Sequence, residues 1–480
     1  MATKKDLVEA HAFSRRRLVT AFLSGAPGGR EVEPARPGRT IVGGLALAVL
    51  LVAGAAIASV LASKTEEDWN QVGLVVSREE AAPYVILEEQ EDPELIPVLN
   101  ITSAQLILGA DVEPTYVEQD VIEDQTPGQT IGIFGAPQTL PRPSRFIEDG
   151  WTACTGDGRG IMLGLRESPD VDTAPRGGLV VSNQGREFLV ARSGELATVQ
   201  RATLYPLPED AGVDAMLNEL GLRERAQAVA VPEDWLQLFP AGGELGWSSF
   251  GIAGPGTKPS ADAESYPADT RVGDYWVDGD EGLVITDQGL MRLSPFALQV
   301  YRFSSVPARK PGRPATQPRE LDGPAPLTGE TTRTYLDASW PDTTLDHVSG
   351  DPCALLVADP GGVPGVELVA DPGDPVSAAT LDPLVVDYSI EDGHGAFVRS
   401  GDWDDSTSES SFVVDPRGTA YSLEGAETIG KLGYDEVPVP LVPDSWVELF
   451  EHGVDLSTSA ALCAPSRDEA ADRVCEEPPS

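Results

Sequence analysis

The residues most suggestive of chemistry are Gly425, Gly430 and Lys431, in the run GAETIGKL at 425–432. A glycine, four residues and then Gly-Lys is the spacing of a phosphate-cradling loop, where backbone N–H groups and the lysine hold a nucleotide. Three features depart from that pattern. Leu432 stands where a Ser or Thr hydroxyl should reach Mg²⁺. The residues before it read as a hairpin, and Gly433 follows at once, interrupting any helix that opens at the lysine. The run is therefore read as a turn, and no nucleotide or other cofactor is expected.

Other constellations are weaker. GWSSFG at 246–251 misses the G-x-S-x-G nucleophile elbow by one residue. His347, His394 and His452 could serve a serine, but each sits in an acidic, loop-like context. Acidic pairs are too numerous for any one to be singled out as general acid and base. Asp402-Trp403-Asp404-Asp405 could offer oxygen ligands to Ca²⁺ without an EF-hand pattern. No catalytic residue and no metal site emerge. The cysteines Cys154, Cys353, Cys463 and Cys475 lack the C-x-x-C spacing of a zinc site and read as disulfides. The last two lie close in sequence and are expected to pair, which leaves Cys154 and Cys353 for a long-range link.

What must position these residues is a repeating outer region. GLVV recurs at 73–76 and 178–181, GLVI stands at 282–285, and SFVV at 411–414. The last three are followed by a turn and a second alternating run, in SNQGREFLV, TDQGLMRLS and DPRGTAYSL, which predicts β-hairpins. A second block recurs as well: VPEDWLQLF at 231–239 matches VPDSWVELF at 442–450, and Gly242 and Leu245 align with Gly453 and Leu456. Trp235 and Trp446 open short helices and are read as repeated core anchors; exposed, they would suit a carbohydrate-stacking role. Leu220-Gly221 and Leu432-Gly433 look like helix C-caps. Each unit thus reads strand, turn, strand, helix, loop, short helix. The Pro-rich stretch from Pro307 to Pro326 is a surface loop or a hinge.

Charge and hydropathy set the topology. Residues 41–62, IVGGLALAVLLVAGAAIASVLA, carry no charge and span roughly 33 Å as a helix, enough to cross a bilayer. Residues 1–63 hold eight bases against four acids, whereas the whole chain carries −43, so −47 falls on the remainder. Bases before the apolar run predict a cytoplasmic N-terminus and an outer C-terminal domain. All four cysteines fall on that oxidising side. The run is too long, and begins too late, for a cleaved signal peptide. Gly54, Ala58 and Ala62 lie four apart, a spacing that lets helices approach. DLVEAHAFSRRRLVTAFL in the tail suits an amphipathic helix on the inner leaflet or on a cytoplasmic partner. An acid excess of 77 to 34 argues against nucleic acid as a partner. It otherwise suits a solvated surface, salt adaptation or a basic partner.

Several of these runs resemble one family. AFSRRRLVTAFL, WNQVGLVV at 69–76, YVIL at 84–87, IPVLNITSAQLILG at 96–109, GQTIGIFGAP at 128–137, WTAC at 151–154 and both Trp blocks are similar to those of EccB proteins. These are the bitopic membrane components of actinobacterial type VII (ESX) secretion systems. Phe134 and Ile96 depart from the family pattern, as does the acidic extension after Cys463. The resemblance implies an inner-membrane secretion complex with EccC-, EccD- and EccE-type partners, the first being motor ATPases. It also implies a β-rich α+β outer domain, elongated, with repeated hairpin-plus-helix units around a central core. A Cys154–Cys353 bridge fits that arrangement.

The expected organisation is a basic tail (1–40), a transmembrane helix (41–62) and a first repeat region (63–150). A second and third unit with the core (151–350), the core return with the last unit (351–462), and an acidic extension (463–480) follow. The expected role is a membrane-anchored structural subunit, oligomeric within its complex. An outer ATPase or hydrolase, as the family is sometimes labelled, and a cell-wall-binding anchor are the alternatives.

Overall fold

The computed structural model describes residues 4–24 and 69–466, apart from 91, 196, 262–263, 308–315, 326–338, 372–381 and 404–409. The expected transmembrane run 41–62, the linker before it and Cys475 therefore lie outside the described residues. Among the described residues, no helix is long and apolar enough to cross a membrane. The tail forms a helix over Lys4–Ser24, free of Gly and Pro and rich in good helix formers. Leu7, Val8, Leu18, Val19 and Phe22 are exposed on one side of it; Phe13 is exposed on the other, and Arg15 interrupts the apolar stripe.

From residue 69 the fold is sheet-rich α+β. The first sheet pairs Gly73–Ser77, Pro83–Ile86 and Ile96–Pro97 antiparallel. Helix Ile101–Leu108 then crosses over, and Thr115–Val117 returns parallel to the first strand. The order is third, second, first, fourth. After a short helix, Gln119–Glu123, the chain runs back beside the third strand, with Pro127 next to Leu95 and Ile131 next to Val98.

The same path recurs. Strands Gly177–Asn183, Arg186–Arg192 and Ala202–Pro206 lead to helix Val213–Glu219 and the parallel strand Val229–Ala230. Strands Ala396–Gly401, Ser410–Val414 and Thr419–Leu423 lead to helix Ala426–Lys431 and the parallel strand Leu441–Pro443. Between them, Tyr275–Asp278, Glu281–Thr286 and Gly289–Leu293 precede helix Pro295–Phe303. There the fourth strand shrinks to one parallel bridge, Glu320 to Tyr275, so part of the Pro-rich stretch completes a sheet.

Two sequence expectations need correction. The expected unit omits the third strand and the short parallel fourth. The matched hairpins are also not equivalent: 177–192 holds the first and second strands, whereas 281–293 and 410–423 hold the second and third. In the second sheet the first and second strands both lie inside the order, flanked on each edge, and both carry an uninterrupted apolar run, GLVV and FLVA.

A six-stranded sheet joins distant segments in the order Val386–Ile390, Ile161–Leu165, Trp151–Cys154, Asp351–Val357, Gly365–Asp371, Asp172–Thr173. Its two central strands, Trp151–Cys154 and Asp351–Val357, lie in sequence on either side of the second and third smaller sheets. One apolar cluster packs Trp151, Leu163, Ala354 and Leu356 of this sheet against Trp235 and Trp446. A second cluster joins the second and third sheets through Leu189, Leu217, Phe296 and Tyr301. A third joins the first and last through Leu106, Ile133, Phe397, Leu432 and Tyr434.

Candidate functional site

The phosphate-loop reading can be tested atom by atom. Residues 425–431 form a short helix rather than the expected turn, with Gly425 at its N-cap and Lys431 as its last residue. A phosphate loop presents its lysine at a helix N-terminus, where free N–H groups favour anions; here the lysine sits at the C-terminus, where carbonyls favour cations. Lys431 Nζ donates to the Ile107 carbonyl at 2.8 Å, at the end of helix Ile101–Leu108. Gly433, at φ +74°, closes the helix, with its N–H on Gly430 O and that of Tyr434 on Ile429 O. Gly221, at φ +86°, closes Val213–Glu219 in the same way, through Leu222 N–H on Leu217 O. Lys431 is a tie between the first and last sheets, and Gly425 and Gly430 frame a helix.

The serine and histidine candidates are not brought together. Trp247–Phe250 is a 3-10 helix in which Ser249 Oγ donates to Glu244 O at 2.6 Å. His347 lies in the two-residue strand Asp346–His347 beside Gly177 and Gly178, where burial, then Arg223, holds its pKa below the usual value. His452 stands edge-on to Phe412. His394 faces Arg145 and Glu167. Asp404 and Asp405 lie outside the described residues. A cavity of about 330 Å³ is lined by Glu148, Asp149, Glu167 and Asp359 together with Phe146 and Ile147. Burial, and then the Asp359 charge, raise the pKa of Asp149.

The cysteines and tryptophans converge on the central sheet. Cys154 and Cys353 are disulfide-bonded across 199 residues. They face each other in the antiparallel ladder, and Thr155 N–H reaches Pro352 O at 2.9 Å. The pair therefore occupies a non-hydrogen-bonded position, where strands approach most closely. Cys463 is disulfide-bonded too. One residue from Cys154, the Ala153 carbonyl accepts from Trp235 Nε1 at 2.9 Å. Trp235 and Trp446 are both fully buried, so neither offers a face to a polymer.

The glycines downstream of each tryptophan have a steric cause. Gly242 N–H donates to Leu204 O and Gly453 N–H to Ala420 O, along the third strands. A Cβ would stand 2.5 Å from the Tyr205 ring at Gly242 and 2.3 Å from the Tyr421 ring at Gly453. Three residues on, Leu245 and Leu456 donate to Pro206 O and Ser422 O. The first sheet does the same with Gly128 on Leu95 O and Ile131 on Pro97 O. This Gly-x-x-Ile signal, within GQTIG, was available in the sequence; it is hidden because Val121 takes the place of the tryptophan.

The fold and these contacts define a disulfide-stitched, sheet-rich protein whose G-x4-G-K run is engaged structurally. The chain belongs to the EccB family: the family model for the type VII secretion system ESX-1, transport TM domain B, matches residues 1–469. It is 25% identical over 456 residues to the ESX-1 secretion system ATPase EccB1 of Mycobacterium tuberculosis, covering 88% of this chain and 87% of that one. It is 27% identical over 476 residues to the ESX-3 secretion system ATPase EccB3 of the same organism, covering 90% and 84%. Its fold resembles a chain of an intact ESX-5 inner membrane complex (TM-score 0.60, 20% identity, 100% of this chain and 98% of that one). It also resembles the EccB3 dimer from the ESX-3 core complex (TM-score 0.59, 22% identity, 82% and 100%).

Proposed function

We propose that this chain is a structural subunit of a type VII (ESX) secretion complex of the inner membrane. The observation that carries this reading is the family match over residues 1–469, a span that includes the tail and the apolar run. On this reading Lys4–Ser24 is cytoplasmic, 41–62 spans the membrane, and the sheets lie outside, where Cys154–Cys353 stays oxidised. EccC-, EccD- and EccE-type proteins are its partners, and it is oligomeric within the complex. The four smaller sheets are copies of one unit set around the six-stranded core, with Trp235 and Trp446 as the anchors of two copies. Cys463 pairs with Cys475.

Mild detergent extraction from cells expressing the whole system tests this directly. Recovery of the other membrane components with this chain is expected; recovery as a lone monomer overturns it. The relatives' names raise a second reading, an outer ATPase. The bond from Lys431 Nζ to Ile107 O argues against that role for the G-x4-G-K run. The full-length chain and its Lys431→Ala variant should release phosphate at the same background rate, and activity lost in the variant restores the ATPase reading.

A further inference from the structure

His394 sits where three segments meet. These are the link from the first sheet into the six-stranded sheet (140–150), the end of strand Ile161–Leu165, and the connection from Val386–Ile390 to the last sheet (391–395). Its side chain is only 7% exposed. Nδ1 lies 3.1 Å from the Asp392 carbonyl, an acceptor only, so this nitrogen carries the proton. In the neutral ring Nε2 is then an acceptor, and it faces Arg145 Nη1 at 3.5 Å. Glu167 Oε1 lies 3.7 Å from the same Nε2. Glu391, on the histidine's own loop, accepts from Glu167 N–H at 3.3 Å. Two backbone bonds close the joint: Gly395 N–H on Arg145 O at 3.1 Å, and Ile147 N–H on Gly395 O at 2.8 Å.

We propose that His394 is a proton-operated joint between the six-stranded sheet and the first and last sheets, exchanging Arg145 for Glu167 as its partner when the imidazole takes a proton. The neutral ring accepts from Arg145 and ties the turn Pro143–Arg145 to the 391–395 loop. A proton from solvent on Nε2 turns that acceptor into a donor and sets two cations face to face. Arg145 is released, and Nε2–H pairs with Glu167, drawing that carboxylate away from the acidic cavity it lines with Glu148, Asp149 and Asp359. Histidine is the side chain that ordinarily changes charge across mildly acidic pH. This inference does not rest on the proposed function.

The test is amide hydrogen exchange of the full-length chain in detergent at pH 7.5 and pH 5.5, corrected for intrinsic rates. Protection of peptides covering 143–149 and 391–397 is expected to fall at least threefold at the lower pH, while 177–192 is unchanged. His394→Gln should remove the pH dependence. Arg145→Gln, at an exposed position that leaves the fold intact, should give the less protected state at both pH values. Equal wild-type protection at the two pH values overturns the proposal, as does pH dependence that persists in either variant.

Discussion

The sheets at 177–245 and 396–456 follow one path with closely matched residues, yet they hold the six-stranded sheet differently. Trp235 buries its ring and donates Nε1–H to Ala153 O; Trp446 is equally buried, but its Nε1 has no acceptor among the described residues. The two blocks share Val-Pro, the Trp and Leu-Phe at the same offsets, so the difference lies in what the sheet presents to each. A ring of this size is retained for its apolar area, and the hydrogen bond is an addition that only one site makes. The two copies therefore teach which part of the block is obligatory.

The largest effects should come from removing the rings. Trp235→Ala and Trp446→Ala should each cost about 3–5 kcal/mol in reversible urea unfolding; a loss below about 1 kcal/mol at either site breaks the equivalence. With Phe instead, Trp235 should lose about 1–3 kcal/mol more than Trp446, because only Trp235 leaves a buried carbonyl behind. The double change Cys154→Ala and Cys353→Ala should cost about 2–5 kcal/mol and lower the midpoint of the reduced wild type little further. Such a loss places the bridge on the same footing as a tryptophan.

Smaller effects sharpen the comparison. Gly242→Ala and Gly453→Ala should each cost about 1–3 kcal/mol, since the Cβ must displace a packed tyrosine ring. Unequal losses would show that one copy tolerates movement of its third strand. Lys431→Met should cost about 1 kcal/mol, the worth of one charge-assisted bond to a helix end; the second sheet carries Glu219 at the matching position and has no such tie. Smallest of all, Gln184→Asn should raise stability by about 0.5 kcal/mol. Gln184, at φ +48°, fills a two-residue hairpin turn with Gly185, at φ +81°, and Asn adopts that conformation more readily.

The edge of the six-stranded sheet shows a further contrast within the molecule. Val386–Ile390 is an outer strand, and the Tyr388 N–H bonds to the Asp387 carboxylate. A charged side chain capping an edge amide discourages pairing with another chain. Tyr388 itself stacks on Phe450 and donates to Leu449 O, so the same strand still carries the last tryptophan block.

By itself the sequence determined the local events. Gly221 and Gly433 mark helix ends because only a residue free of Cβ closes them cheaply. The helix over Lys4–Ser24 follows from its helix formers. Tertiary structure alone decided which strands share a sheet. The run GLVV stands in a first strand at 178–181 and its counterparts GLVI and SFVV in second strands at 282–285 and 411–414, and nothing local tells the two places apart. It likewise decided the place of Lys431, whose partner Ile107 lies 324 residues away. Short-range geometry is written in neighbouring residues, whereas pairing and partner choice depend on contacts that exist only once the chain has closed.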